Sequence, residues 1–224
     1  MQLTGVRNLL DKFGFGLVLG SVPETKAISL SDIKPIPLSG NFDSGFALGE
    51  YSIKESAKKR RKTTVGHLLH RFKYEQDRHA GMLLADLASD FINNQVLLKS
   101  ADLLLTVPPS FKSRSFDPVS FMAERIEEKT KIPWEKEVFA RIRLTKPQKD
   151  LRNKENKQLN VLDTYKLAKP LQFASTKVLV FDDRFDSGAT LNEISAIMRE
   201  AAAYRVYVLV LARTQFTIKF GFAD

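Results

Sequence analysis

The chain has 224 residues, 43% of them apolar and 27% charged, which is ordinary for one large domain or for one domain with a small appendage. It contains no cysteine, which excludes disulfides, cysteine-ligated zinc and thiol catalysis. Its net charge of +9 predicts an anionic partner, such as a polyphosphate, a nucleic acid or a membrane surface. No apolar run approaches the roughly 18 residues that span a bilayer. We therefore expect a cytoplasmic protein without a membrane partner.

The N-terminal quarter of the chain, residues 1–55, is expected to form an appendage to the main domain. Residues 14–20 superficially resemble a dinucleotide-binding loop, but no strand precedes them and apolar side chains fill the phosphate position. Residues 21–44 contain three prolines and are expected to be an extended connection. Residues 46–53 alternate apolar and polar side chains and are predicted to form a strand.

Five consecutive basic residues run from Lys58 to Lys62. Such a run is most often a solvated surface, and here no aromatic side chain is interleaved to stack on bases. The alternative is a direct contact with DNA, because Lys and Arg gain affinity for phosphates by releasing condensed counterions. The sequence favours the solvated surface and leaves the DNA contact open.

Two helices are predicted next, over residues 63–74 and from Asp77 onward, from apolar residues at helical spacing. The chain's three histidines, His67, His70 and His79, fall in this region. No carboxylate stands at a recognisable ligand spacing from them, so we expect surface or hydrogen-bonded histidines rather than a metal site.

A strand over residues 102–107 is predicted to end at two prolines, because proline cannot continue a central ladder. The loop that follows carries Lys112 and Arg114. Asp117 is expected to cap the next helix, with Pro118 in its first turn. The residues from 138 to 143 are predicted to form a further strand.

An acidic pair follows the apolar run of residues 178–181. That run is half β-branched and typical of a buried parallel strand, and Asp182 and Asp183 stand where the strand is expected to end. A loop of residues 186–188 follows, and Thr190 is expected to open a helix with apolar residues at helical spacing. Ligands of open α/β sheets bind beyond the carboxyl ends of the strands, so a site is expected here.

This order of elements predicts a site for a ribose that bears a 5′-phosphate. The first turn of a helix has unpaired N–H groups that, with the helix dipole, attract a phosphate. Gly188 allows close approach of the backbone, and Ser187 and Thr190 add hydroxyl donors. Carboxylates accept two hydrogen bonds side by side, which suits a sugar diol or a hydrated metal ion. The alternative is that the acids only cap a loop before an ordinary helix.

Strands near residues 102–107, 138–143, 178–182 and 206–211 are expected to alternate with helices or loops. This pattern predicts an α/β fold, with an open parallel sheet that has helices on both faces. The appendage is expected to contain β-structure.

Residues 178–191 resemble the phosphoribosyl-pyrophosphate (PRPP) signature of type I phosphoribosyltransferases. Scattered motifs, among them Phe72-Lys73-Tyr74 and Asn160-Val161, extend the likeness over residues 64–214, and within the superfamily the chain is most similar to the ComF family. The resemblance implies that Asp182 and Asp183 hold the ribose hydroxyls and, indirectly, Mg²⁺. It further implies two anion-binding loops, one for the 5′-phosphate (Asp186, Ser187, Gly188, Ala189 and Thr190) and one for pyrophosphate (Pro109, Ser110, Lys112 and Arg114).

The resemblance also implies a domain organisation. The phosphoribosyltransferase-like domain spans residues 56–224, and a flexible hood loop near residues 144–160 closes over PRPP. Many ComF proteins begin with a four-cysteine zinc ribbon, which this chain lacks. Residues 1–55 stand in its place.

Two residues depart from the ComF pattern. Asp186 replaces a threonine, and the change is similar to the loop of hypoxanthine-type phosphoribosyltransferases, in which that carboxylate serves as a base. Asp186 is therefore implied as general base, with Asp182 and Asp183 as the other catalytic residues. Arg184 replaces a small apolar residue, and it either offsets the repulsion between Asp186 and the phosphate or points to solvent.

The implied activity is transfer of a phosphoribosyl group from PRPP to a nitrogen acceptor with release of pyrophosphate. The implied ligands are PRPP or a nucleoside monophosphate, and the ComF family links the protein to DNA uptake in competence. The alternative is a non-catalytic module of the same fold that senses nucleotides or handles DNA. No motif predicts the acceptor or the oligomeric state.

Overall fold

A five-stranded, mostly parallel sheet forms the centre of the structure. The computed structural model describes residues 28–56, 59–109, 116–142, 163–168 and 173–214. Within these ranges the strands are β1 (Ile36–Pro37), β2 (Ser44–Glu50), β3 (Ser52–Lys54), β4 (Arg60–Lys62), β5 (Leu103–Thr106), β6 (Phe139–Arg141), β7 (Tyr165–Leu167), β8 (Lys177–Phe185) and β9 (Arg205–Arg213). The helices are α1 (Thr64–Tyr74), α2 (Arg78–Asn94), α3 (Val96–Lys99), α4 (Pro118–Thr130) and α5 (Ala189–Glu200).

The central sheet has the strand order β1-β2-β9-β8-β5. β2, β9, β8 and β5 run parallel, and only β1 is antiparallel to its neighbour. Because parallel strands end at the same edge of a sheet, Glu50, Thr106, Phe185 and Arg213 lie along one edge. We call it the carboxyl edge.

Helices cover both faces of this sheet, which confirms the predicted α/β class. The face that carries Leu179 and Phe181 packs against α1, α2, α3 and α4. The opposite face, with Val178 and Val180, packs against α5. All four of these β8 side chains are fully buried, and each contributes about 1.5–3 kcal/mol relative to exposure.

The predicted helix starts are confirmed where they fall on described residues. Thr63 accepts the N–H of Gly66 ahead of α1, and Asp77 accepts the N–H of Ala80 ahead of α2. Asp117 caps α4, since its Oδ1 accepts the N–H of Val119 at 3.0 Å. Asp117 is therefore a structural residue, as expected.

One predicted strand of the parallel sheet is wrong. Residues 139–141 do form β6, but β6 pairs antiparallel with β7 in a separate two-stranded sheet. After α4 the chain returns beside β5 for a single bridge, between Trp134 and Leu104, and then turns away. The fourth parallel strand is instead β2, which pairs with β9 along six residues.

The N-terminal span 1–55 contributes directly to the sheet where it is described. β1 and β2 lie in that span, and the predicted strand over residues 46–53 is divided into β2 and β3. Residues 1–27 lie outside the described ranges. None of the described helices is both long and apolar enough to cross a bilayer.

Candidate functional site

β8 continues through the acidic pair to Phe185, four residues beyond the predicted end of its apolar run. Asp182 lies opposite Val210 in the register with β9, and Phe185 lies opposite Arg213. The prediction that the acids follow the strand is thus wrong in detail. β5 ends at Thr106, opposite Phe181, so within the described residues the stretch from Asp182 to Phe185 has a strand neighbour on one side only.

The two aspartates are directed to opposite faces of the sheet, as strand geometry requires of consecutive residues. Asp183 continues the side of Leu179 and Phe181 and forms an ion pair with Lys73 in the last turn of α1. Asp182 continues the side of Val178 and Val180, where its charge interacts with the hydroxyl of Tyr165 in β7. The pair therefore does not present two carboxylates side by side.

Asp182 is a carboxyl group in an unfavourable environment. Burial, and secondly the charge of Asp183, raise the pKa of Asp182 to about 8. Its Oδ1 accepts the N–H of Asp183 at 2.8 Å, which offsets part of the shift. A partly buried acid with a strongly raised pKa near a sheet's carboxyl edge is more typical of a functional site than of a stabilising contact.

The turn after β8 has the geometry expected of an anion site. Gly188 has φ +81°, in the left-handed region, and a Cβ there would lie 2.6 Å from Cζ of Phe185. α5 begins at Ala189, one residue before the predicted start, and Gly188 offers no side chain to its first N–H groups. Ser187 is buried, and its Oγ accepts the N–H of Ala189 at a long 3.4 Å.

Tyr165 connects the acid to this turn, and sequence reasoning missed it. Its hydroxyl is hydrogen-bonded to the side chain of Thr190, and burial raises its pKa. Arg141 of β6 lies over its ring at 5.5 Å. Glu193 of α5 accepts the N–H groups of Thr164 and Tyr165 at 2.6 and 2.9 Å, and thus fixes the start of β7. No periodic pattern surrounds Tyr165 in the sequence, so only the fold places it here.

Arg184 does not lie at the turn. Its guanidinium lies 5.5 Å from the ring centroid of Tyr51, at the end of β2, and the residue is exposed. Burial raises the pKa of Tyr51, although the charge of Arg184 opposes that rise. Of the two alternatives for Arg184, the structure favours a solvent-exposed cation on an aromatic ring.

The described residues also form a cavity of about 440 Å³ beside α5. Of the predicted site residues only Ala189 lines it; the other lining residues are Asn41, Asp163, Tyr165, Asn192, Glu193, Ala196, Ile197 and Glu200. Neither aspartate of the acidic pair lines this cavity, although Tyr165 does.

Several predicted site residues lie outside the described ranges. They are Ser110, Lys112 and Arg114 of the pyrophosphate loop, the hood near residues 144–160, and Lys58 of the basic run. Pro109, the one described residue of the pyrophosphate loop, is exposed three residues after the end of β5. Asp186 lies in the turn before Gly188 and is partly buried.

The described residues do not by themselves fit a protein-held metal ion. No group of three or more His, Asp or Glu side chains in these ranges is arranged to hold one. Lys73 already binds one oxygen of Asp183, and a raised pKa makes Asp182 a poor ligand near neutral pH. We therefore derive no step through Mg²⁺.

No protein-family model matches the chain, and no curated protein sequence matches it. Among solved structures it is similar to a glutamine PRPP amidotransferase from B. subtilis complexed with ADP and GMP, with 20% identity over 58% of this chain and a TM-score of 0.40. It is also similar to adenine phosphoribosyltransferases from Leishmania tarentolae (8% identity, 81% of this chain, TM-score 0.45) and from Trypanosoma brucei (11%, 81%, 0.44). The chain spans about a quarter of the amidotransferase, 26%, and 95% and 86% of the other two.

Proposed function

We propose that this chain binds PRPP or a nucleoside monophosphate and transfers the phosphoribosyl group to a nitrogen acceptor with release of pyrophosphate. The observation that carries the proposal is the junction of β8 and α5. It joins a half-buried acid with a raised pKa at the carboxyl edge to a left-handed glycine that offers no side chain to the first N–H groups of α5. Helix starts of this kind bind phosphate, and the acid lies upstream in the same strand.

Each predicted residue has a role in this proposal. The turn from Asp186 to Thr190 binds the 5′-phosphate through backbone N–H groups and the hydroxyls of Ser187 and Thr190. Asp182 and Asp183 accept hydrogen bonds from the ribose hydroxyls, each from its own side of the strand. Asp186, in the turn before Gly188, is the proposed general base toward the acceptor. The ComF resemblance of the sequence motifs supports the same assignment.

Leaving-group stabilisation is assigned to the cations of the predicted pyrophosphate and hood loops. Displacement at the ribose C1 develops positive charge on the sugar and negative charge on pyrophosphate. By the sequence resemblance, Lys112 and Arg114 and the basic residues of the hood stabilise the pyrophosphate. Closure of such a loop would also exclude water from the activated ribose.

The decisive experiment is a calorimetric titration of the protein with PRPP, with and without Mg²⁺. We expect saturable binding, and we expect at least 100-fold weaker binding by the double variant Asp182→Asn, Asp183→Asn, because two hydrogen-bonded acceptors are lost. A screen of nitrogen acceptors for pyrophosphate release then tests transfer. Equal PRPP binding by the parent and the double variant would exclude this site.

A second candidate function is DNA handling of the ComF type, and one observation favours it. Three residues of the basic run, Arg60–Lys62, form β4, which pairs with β3 in a hairpin that follows β2 at the carboxyl edge, and Arg60 and Arg61 are exposed. Glu55 offsets part of this charge, since it pairs with Lys59 at 3.1 Å and with Arg61 at 2.7 Å. The hairpin thus retains net positive charge at the carboxyl edge.

Neutralising Lys58 to Lys62 with glutamine is expected to reduce the salt dependence of single-stranded DNA binding. Each lost phosphate contact lowers the slope of log affinity against log salt by about 0.7. The measurement is a fluorescence-anisotropy titration at four salt concentrations. Lys99→Gln, in α3 and away from the carboxyl edge, is the control. An unchanged slope in the hairpin variant would remove the hairpin as a DNA contact.

A further inference from the structure

We propose that Lys73 is a positioning residue of the ribose site, which acts through Asp183. This inference rests on the proposed function and adds to it a residue on a different element. The Lys73 ammonium binds Oδ2 of Asp183, and no described residue donates a hydrogen bond to Oδ1. The ion pair therefore holds one oxygen of the carboxylate and leaves the other available to accept a hydrogen bond from a ligand.

The environment of the ion pair favours orientation over stabilisation. The side chains of Lys73 and Asp183 are only 17% and 15% exposed. Buried ion pairs contribute little net stability, because desolvation offsets their attraction, and apolar pairs of equal volume are often as stable. What such a pair supplies is a fixed geometry, since it restricts a carboxylate that would otherwise rotate.

The fold places Lys73 at this point through its neighbours in α1. Phe72 is fully buried, and its ring contacts that of Phe116 edge-on at 5.3 Å, which fixes the orientation of the last turn. Gly66 allows α1 to approach the end of β2, because a Cβ at that position would lie 1.8 Å from the carbonyl oxygen of Tyr51. The charge of Lys73 also reaches the Tyr51 hydroxyl, so the lysine lies at the carboxyl edge.

The consequence is specific to the sugar. If Asp183 accepts the ribose 2-hydroxyl, its correct orientation is needed for recognition of that hydroxyl and not for phosphate binding at α5. Loss of Lys73 should therefore remove the preference for ribose 5-phosphate over 2-deoxyribose 5-phosphate. Destabilisation of the fold alone would not change this ratio, because both ligands are measured on the same folded protein.

The test is calorimetry with these two sugar phosphates on the parent, Lys73→Met, Asp183→Asn and the double variant. We expect the parent to prefer ribose 5-phosphate about tenfold, as for one hydrogen bond to a charged group. Each single variant should bind the two ligands within about threefold of each other, and the double variant should match Asp183→Asn. Lys73→Arg should recover part of the preference.

The control is Arg71→Met, which removes an ion pair of similar burial in the same helix. Arg71 contacts Asp77 at 2.5 Å, with side chains 19% and 18% exposed, at the junction of α1 and α2. This variant should keep the tenfold preference. If Lys73→Met does not fold, the double variant still serves, because it leaves no unpaired buried charge.

The outcomes separate the inference from the function it rests on. Retention of the sugar preference by Lys73→Met overturns the inference alone. Losses that add fully in the double variant also overturn it, because Lys73 would then contact the ligand independently of Asp183. A parent protein that binds neither sugar phosphate overturns the proposed function, and this inference with it.

Discussion

Asp182→Asn is expected to make the protein more stable at pH 9 and to weaken its binding of PRPP. The folded pKa of Asp182 is about 8, against an ordinary value of 3.8. Between these two values the folded protein retains a proton that the unfolded chain releases, so this group lowers the free energy of unfolding as pH rises. The loss is complete above about pH 8 and absent below about pH 4.

The size of this effect follows from the free energy of a pKa shift. One pKa unit corresponds to about 1.4 kcal/mol, and relaxation of the folded protein reduces the full value. We expect Asp182→Asn to gain on the order of 3 kcal/mol at pH 9 and almost nothing at pH 4. The asparagine Oδ1 can still accept the N–H of Asp183, so the local hydrogen bond is retained.

The measurement is denaturant unfolding at both pH values, followed by the fluorescence of Trp134, the chain's single tryptophan. Asp102→Asn is the control, because Asp102 accepts the N–H of Lys177 at 2.8 Å at the other end of β8 and is exposed. No comparable gain is expected there, since an exposed carboxylate has no burial cost. A pH-independent difference in Asp182→Asn would contradict the raised pKa.

The lower PRPP affinity expected of Asp182→Asn follows from its reduced hydrogen-bonding capacity. An ionised carboxylate accepts on both oxygens, whereas an amide offers one acceptor and one donor. At pH 9 the variant is therefore expected to bind PRPP at least tenfold more weakly. When replacement of a residue stabilises the fold and lowers the affinity for the ligand, that residue is usually kept for function.

The sequence was most informative where local order determines geometry. The apolar run before Asp182 and the Gly188 turn before α5 are adjacent in the chain, so their pattern predicted the strand, the turn and the helix together. The strand's end was misplaced because Arg184 and Phe185 continue the pairing with β9, and pairing partners are distant in sequence. Polar residues in a strand end are tolerated at a sheet's carboxyl edge.

Contacts between distant segments could not be predicted. Lys73 and Asp183 are 110 residues apart, and nothing in either local pattern indicates the other. Tyr165 belongs to a three-residue strand that is stable only against β6, so no periodicity marks it. The position of β2 in the sheet was also missed, because its register with β9 requires two segments about 160 residues apart to meet.

The error over residues 138–143 has the same physical cause. Their local pattern is that of a strand, and β6 does form. Membership of the parallel sheet, however, depends on whether the segment stays beside β5, and only the single bridge at Trp134 does so. Local propensity therefore predicted the element and not its partner.

Gly188→Ala is expected to weaken PRPP binding at least tenfold and to lower stability by about 1–2 kcal/mol, the usual cost of a left-handed backbone for a residue with a Cβ. Gly188 has φ +81°, and an added Cβ would lie 2.6 Å from Cζ of the Phe185 ring. Relief of either strain must move the turn, and with it the first N–H groups of α5. Calorimetry with PRPP and thermal unfolding measure the two effects.

Gly49→Ala is the matched control, because Gly49 lies at the same carboxyl edge in β2 and a Cβ there meets only Val65 Cγ2, at 3.8 Å. That variant should bind PRPP like the parent.

The double variant Phe185→Leu, Gly188→Ala separates the two causes. If the ring contact dominates, the shorter leucine restores most of the PRPP affinity that Gly188→Ala loses. If the left-handed backbone dominates, affinity stays low, and Gly188→Asn, which tolerates that conformation better, should bind more tightly than Gly188→Ala. Parental affinity in Gly188→Ala itself would mean that the start of α5 does not hold the phosphate.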